Sequence, residues 1–182
     1  MTGAKIENLQ NTRPPNKDAA LILDDGSVFW GNGAGTQTTA IGELCFNTSI
    51  TGYQEILTDP SYCNQMITFT YPQIGNTGVN QEDIESDRVW SSGVILRQLP
   101  KRASSWRYEL GLEEYLKEKG IVALAGVDTR KLTNLLRTKG SLSGCIIAGS
   151  SASSSAMKAE AIREAKLFPG LKGLDLARVV SQ

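Results

Sequence analysis

The sequence contains no histidine among its 182 residues, and this absence excludes several kinds of active site. Imidazole titrates near neutral pH, so the Ser-His-Asp and Cys-His forms of nucleophilic catalysis both depend on it. Zinc sites commonly use the same side chain as a ligand. These residues therefore hold no histidine-dependent catalytic centre, which disfavours an independent small hydrolase.

Cysteine is also scarce. The three cysteines, Cys45, Cys63 and Cys145, form no Cys-x-x-Cys pair, which predicts reduced and mostly structural thiols. Cys45 and Cys145 lie within apolar, strand-like runs, so we expect both to be buried, whereas Cys63 follows a turn and is expected to be partly exposed. No histidine or neighbouring lysine is present to activate Cys63. The sequence predicts no catalytic nucleophile and no metal site.

Long apolar runs and a net charge are likewise lacking. No apolar stretch approaches the roughly 20 residues that cross a bilayer, and the N-terminal segment lacks the apolar core of a secretory signal. The 19 basic and 19 acidic residues balance, so neither nucleic acid nor a membrane is expected as a partner. These features predict a cytoplasmic location, with an organelle as the alternative if the source is a eukaryote.

The remaining pattern is β-rich in the first half and alternates between helix and strand in the second. Residues 1–18 include adjacent prolines and are predicted to be flexible. Two apolar runs flank Asp25-Gly26, which predicts a hairpin. Asp128 is a predicted helix N-cap, and Gly140 the end of that helix. We expect one α/β domain with mixed sheets and with helices mainly in the C-terminal half, gathered on one side.

Other elements follow from hydrophobic periodicity. Further strands are predicted at Glu43–Phe46, in "QMITFTYP", at Gly93–Arg97, in "IVALAGV" and in "GCIIAG". Further helices are predicted in "GLEEYLKEKG" and towards the end of "SSASSSAMKAEAIREAK". The last stretch, "LFPGLKGLDLARVV", is broken by Pro and Gly, and no regular element is expected there.

Three polar motifs have ordinary structural explanations. Gly31–Gly35, "GNGAG", resembles a phosphate-binding loop only superficially, because the residues that follow predict a loop and a strand rather than a helix. A plain turn is the expected structure. The acidic run "QEDIESDR" predicts a solvated turn rather than a metal site, which would need further ligands. Arg130, in the first turn of its helix, is expected to be solvated.

The segment of residues 46–62, "FNTSITGYQEILTDPSY", allows two explanations that the residues alone leave open. Small polar side chains crowd between a strand and the apolar anchors Ile56 and Leu57, and Asp59-Pro60 predicts a helix-ending turn. The segment is either an elaborate connector between two strands, or a rigid loop that presents hydroxyls and amides to a ligand or partner.

A family resemblance rests on five motifs that occur between Ala19 and Val179. They are "GELCFNTSITGYQEILTDPSY", "TFTYPQIGNTGVN", "GVILRQLP", "GIVALAGVDTRKLTNLLRTKGSLSGCIIAG" and "FPGLKGLDLA". Together they closely resemble the N-terminal domain of the small, glutamine-using subunit of carbamoyl phosphate synthetase. The resemblance implies a swivelling β/β/α fold for residues 19–166, and makes residues 167–182 a junction to a glutaminase domain that would begin near Gln182.

The resemblance also implies a role. In this family the complete small subunit hydrolyses glutamine and passes ammonia through a tunnel to a large subunit, which makes carbamoyl phosphate from bicarbonate and ATP for arginine and pyrimidine synthesis. ATP and divalent metal are expected on the large subunit, so no cofactor is expected here. The family's serine in "DPSY" reaches the glutamine site, which carries over to Ser61, and no catalytic residue carries over. The implied partners are the large subunit and the glutaminase domain. The alternative is a stand-alone, non-catalytic module that binds a large subunit.

Overall fold

The computed structural model of the protein describes residues 13–149, 155–171 and 175–181. These ranges contain seven strands: β1 (Ala19–Leu23), β2 (Val28–Gly35), β3 (Thr39–Asn47), β4 (Gln65–Phe69), β5 (Gly93–Ile95), β6 (Val122–Ala125) and β7 (Ser143–Ala148). They also contain five α-helices: α1 (Tyr53–Thr58), α2 (Leu112–Glu118), α3 (Thr129–Lys139), α4 (Ser155–Leu167) and α5 (Leu176–Val180). A single 3-10 turn, Pro60–Tyr62, follows α1.

The strands form one mixed sheet that closes into a barrel. Their order around it is β1-β2-β6-β5-β4-β3-β7, and β7 pairs again with β1. Neighbours from β3 through β4 and β5 to β6 are parallel, and the other pairs are antiparallel. The carboxyl ends of four strands therefore meet at one end of the barrel. The predicted α/β class, with helices mainly in the C-terminal half, is confirmed.

The predicted hairpin joins β1 to β2. The Gly26 N–H donates to the carbonyl of Leu23 at 2.9 Å, and the Ser27 N–H donates to Oδ1 of Asp25 at 2.8 Å. Gly26 has a φ of 85°, which glycine adopts without the steric cost of a Cβ. The turn therefore sets the register in which Leu21 pairs with Phe29.

Apolar side chains pack in three layers. The barrel interior receives residues from every strand, and Leu132 and Leu136 of α3 pack against it. Helices α1 and α2 cover the outer face of β4–β6, and α4 covers β1 and β7. Because both faces of β1 are covered, its sequence "AALIL" is apolar throughout and fully buried. The expectation that the helices gather on one side is wrong, because a closed sheet needs cover on more than one side.

Two local predictions also fail. Gly31–Gly35 is no turn but the second half of β2. A Cβ on Gly31 would lie 2.5 Å from the Ala125 carbonyl oxygen, so the glycine allows β6 to approach closely. The second failure is α5, which forms where no regular element was expected.

The predicted boundaries near the N-terminus are only partly visible. Residues 1–12 lie outside the described residues, so the flexibility of that segment stays a prediction. Asp18 is held by the barrel, because its Oδ1 accepts from the Gly33 N–H at 2.7 Å and its carbonyl accepts from the Gly149 N–H at 3.1 Å. The division at residue 166 also stays a prediction.

Candidate functional site

The 46–62 segment leaves β3, forms α1 and ends in the 3-10 turn before β4. Because β3 and β4 are parallel neighbours, the segment must travel from the carboxyl end of one strand to the amino end of the next. Its helix packs against the outer face of the barrel, where Leu57 is fully buried. Asp59-Pro60 ends the helix as predicted.

Tyr53 fixes the first turn of α1 to the loop that follows β4. Its side chain is 4% exposed, and its hydroxyl lies 2.9 Å from Oγ1 of Thr77 and donates to the carbonyl of Gly78. Burial raises the pKa of the Tyr53 phenol, although the hydrogen bond with Thr77 opposes the shift. The phenol therefore stays protonated and acts as a structural donor.

Gln54 forms two hydrogen bonds with the backbone of a residue in another loop. Although polar, it is 3% exposed. Its Nε2 donates to the carbonyl of Asn80 at 2.6 Å, and its Oε1 accepts from the Asn80 N–H at 3.0 Å. One side chain thus satisfies both backbone groups of a residue in another loop, which is how a buried amide is accommodated.

Thr58 fixes the other end of α1 to the acidic run "QEDIESDR". Its Oγ1 accepts from the Glu85 N–H at 2.9 Å, and its carbonyl accepts from the Ser86 hydroxyl at 2.6 Å. Nearby, Glu82 and Asp83 pair with Arg107 at 2.8 and 2.7 Å. Within the described ranges, no group of three or more His, Cys, Asp or Glu is placed to hold a metal ion.

Ser61 lies at the end of the segment, in the 3-10 turn. Oδ1 of Asp59 accepts from the Ser61 N–H at 2.8 Å, and Nε2 of Gln65 donates to the Ser61 carbonyl at 3.3 Å. The side chain is exposed, and the hydrogen bonds of Ser61 to other described residues use only its backbone. Its hydroxyl is thus displayed on a fixed turn, and its role in glutamine binding stays a prediction.

Each of the two explanations of the segment fits a different set of its side chains. Tyr53, Gln54 and Thr58 face inward and connect strands and loops, as a connector would. Residues 48–51 and Ser61 are exposed, as a presenting loop would require. Asn47 joins the two ends of the segment, because its Nδ2 donates to the Tyr62 hydroxyl at 3.0 Å.

The three cysteines are free thiols. Cys145 is buried as expected, whereas Cys45 is only half-buried, contrary to the expectation that both are buried. Cys63 is only 4% exposed. The expectation that Cys63 is partly exposed is therefore wrong, because the turn before it folds the side chain inward. Burial raises the pKa of Cys45 to about 12 and that of Cys145 to about 11.

These thiols should react slowly with Ellman's reagent at pH 8 in the native protein, whereas the urea-unfolded chain should release three equivalents. The attacking species is the thiolate, and the folded chain keeps Cys45 and Cys145 protonated. Rapid labelling of all three thiols in the native protein would contradict this protection.

The free energy of unfolding should also depend on alkaline pH. Since the folded pKa values of Cys45 and Cys145 lie above the ordinary 9.0, stability should fall as pH rises from about 9 towards 12. A Cys45→Ala variant should reduce this alkaline loss of stability.

A second surface was missed by the sequence predictions. Arg97, Arg130 and Arg137 line an open cleft of about 620 Å³ together with Thr48, Thr70 and Thr133. We call it the arginine cleft. Arg130 is exposed as expected, but no pattern in the sequence indicates that Arg97 lines the same cleft.

Among the helices of the described ranges, none has both the length and the apolar character that a membrane span requires.

Comparison with known proteins identifies a family. The model of the family described as "Carbamoyl-phosphate synthase small chain, CPSase domain" matches residues 21–146.

Curated relatives carry the same description. The carbamoyl phosphate synthase small chain of Pseudomonas syringae pv. tomato is 56% identical over 165 residues, which cover 91% of this chain and 43% of the relative. The small chain of Pseudomonas aeruginosa is 54% identical over 165 residues, with the same coverage. That of Photobacterium profundum is 54% identical over 166 residues, 91% of this chain and 42% of the relative. The chain thus spans less than half the length of these relatives.

Proposed function

Because the chain belongs to the carbamoyl-phosphate synthase small-chain family, we propose that it is the non-catalytic N-terminal domain of a glutamine-dependent carbamoyl phosphate synthetase. The observation that carries this proposal is the family match over residues 21–146. In this role the domain packs against a glutaminase domain and against the large subunit. The large subunit uses the ammonia, with bicarbonate and ATP, in the cytoplasm, to make carbamoyl phosphate for arginine and pyrimidine synthesis.

The chemistry of glutamine hydrolysis then belongs to residues outside these 182. The chain has no histidine, and its cysteines are half-buried or buried, which supports a structural rather than a nucleophilic role. The relatives extend over more than twice the matched length, which leaves room for a glutaminase domain. ATP and its metal ion belong to the large subunit.

Ser61 supplies this domain's contribution to the glutamine site. Its exposed hydroxyl can both donate to and accept from the amino acid, since a hydroxyl has one donor and two acceptor positions. The Asp59 carboxylate holds the turn and thus orients Ser61 before substrate arrives. The exposed side chain and the fixed backbone both support this role.

Reconstitution tests the proposal. The chain, a small-chain glutaminase domain and the large subunit should together make carbamoyl phosphate from glutamine, whereas the chain alone should hydrolyse no detectable glutamine. Glutamine hydrolysis by the isolated chain would refute the non-catalytic role. Association with the large subunit without any support of glutamine-dependent synthesis would favour the stand-alone binding module.

In that assembly, Ser61→Ala should raise KM for glutamine about tenfold, since the lost hydrogen bond is worth about 1.5 kcal/mol. Ammonia-dependent synthesis should be unchanged, because ammonia bypasses the glutamine site. Ser49→Ala, an exposed serine of the same segment, is the matched control and should leave KM within about twofold. An unchanged KM in Ser61→Ala would remove Ser61 from the site.

A further inference from the structure

The arginine cleft lies at the carboxyl ends of the parallel strands. Thr48 follows β3, Thr70 follows β4, and Arg97 comes two residues after β5. Helix α3 forms the remaining wall through Arg130 and Arg137. The carboxyl ends of parallel strands are where α/β proteins usually bind their ligands, so this end of the barrel is a natural recognition surface.

The charge of the cleft is unbalanced. Its lining contains three guanidinium groups and no carboxylate. None of the three arginines takes part in an ion pair among the described residues. Asp128 adjoins Arg97 in a smaller cleft, but its Oδ1 accepts from the Lys131 N–H at 2.9 Å as the cap of α3. In a chain of zero net charge, this concentration of positive charge implies an anionic counterpart.

The shape of the cleft favours a protein counterpart over a small anion. The three arginines are exposed, whereas a small-molecule site encloses most of its ligand. The guanidinium fork matches a carboxylate bidentately, and arginine is enriched in protein interfaces. Ile50, two residues beyond Thr48, is 64% exposed and supplies the apolar surface that the buried core of a protein interface contains.

The topology separates this surface from Ser61. Ser61 precedes β4 and Thr70 follows it, so the turn and the cleft lie at opposite ends of that strand. The C-terminal stretch returns to the Ser61 end, because the Leu171 N–H donates to Oε2 of Glu43 at 3.2 Å, and Glu43 pairs with Gln65 at the start of β4. If the Ser61 end faces the glutaminase domain, the arginine cleft remains accessible to the large subunit.

We therefore propose that the arginine cleft docks an acidic segment of the synthetase large subunit, with Ile50 as the apolar anchor beside it. This inference rests on the proposed function, because that function supplies the partner.

The test measures the affinity of the complete small subunit for the large subunit by titration in a synthesis assay and by analytical ultracentrifugation. The double variant Arg130→Glu/Arg137→Glu should weaken association about tenfold or more, because it replaces attraction by repulsion. Arg130→Gln/Arg137→Gln should have a smaller effect. The control Arg102→Glu/Lys117→Glu makes the same change in net charge on a different cleft and should stay within about threefold. Higher salt should weaken the wild-type complex more than the glutamate variant.

Three other outcomes would contradict the proposal. If the wild-type subunits associate and the arginine variants, with native circular dichroism, associate equally well, the cleft does not dock the large subunit. If inorganic pyrophosphate raises the melting temperature of the wild type but not of the variants, and association is unaffected, the cleft is a small-anion site and the proposal fails. If the wild-type subunits do not associate, the proposed function fails together with this inference.

Discussion

Replacing Gly35 with alanine is expected to lower the free energy of unfolding by about 3 kcal/mol or more. Gly35 ends β2 with a φ of 64°, a conformation that costs an L-residue with a side chain about 1 kcal/mol or more. A Cβ there would also overlap the Ile121 carbonyl oxygen and meet the Leu116 side chain at 3.2 Å. That carbonyl accepts a hydrogen bond from the Thr36 N–H at 2.9 Å, so moving it away from the Cβ would weaken this bond.

Gly120→Ala separates the two causes of this loss. Gly120 has a similar φ of 72°, but no atom lies within 4 Å of the position of its Cβ. Its replacement should cost only the backbone strain, about 1 kcal/mol. Urea unfolding followed by circular dichroism measures both variants. Equal losses in the two variants would mean that β6 can move away from β2.

Gln54→Ala is expected to cost about 3 kcal/mol, the second-largest effect. The variant loses two part-buried hydrogen bonds and leaves the N–H and carbonyl of Asn80 without their partner. An unsatisfied buried group costs about 1–3 kcal/mol, and the half-buried position of Asn80 places each loss in the lower half of that range. The loop that carries Asn80 should loosen as well. Faster amide exchange at Asn80, together with a lower urea midpoint, is the expected measurement.

Two further variants make the Gln54 result specific. Gln73→Ala removes an exposed glutamine and should change stability by less than about 0.5 kcal/mol. Gln54→Glu keeps the shape but places an oxygen against the Asn80 carbonyl, so its pKa in the folded state should rise. Since the folded state then binds the proton more tightly than the unfolded state, the deficit should shrink as pH falls towards 4. A deficit independent of pH would mean that the Asn80 loop moves away.

Local signals made much of the fold predictable. Asp25-Gly26 specifies its turn by its own backbone preferences, and the Asp128 carboxylate caps the helix that begins beside it. Gly140 ends the same helix. Each feature depends on residues within a few positions, and such information is present in a single sequence.

The failures arose where distant residues decide the structure. The glycines of Gly31–Gly35 have low strand propensity. At Gly31, however, Ala125 of β6 approaches so closely that a larger side chain would not fit. Cys63 is buried by the packing around its turn, which composition does not record. Arg130 and Arg137 are seven residues apart and thus share a face of α3, but only the parallel pairing of β4, β5 and β6 brings Thr70 and Arg97 opposite them.

The position of β7 between β1 and β3 has a consequence for the order of folding. β7 is the last strand in sequence among the described residues. Leu21 of β1 therefore gains its neighbour Ile146 only after β7 has been synthesised. During synthesis, both β1 and β3 therefore expose an unpaired edge until residues 143–148 have emerged, and such edges invite pairing with other chains. Such long-range closure also slows folding. The nascent domain should consequently depend on chaperone protection until its seventh strand is made.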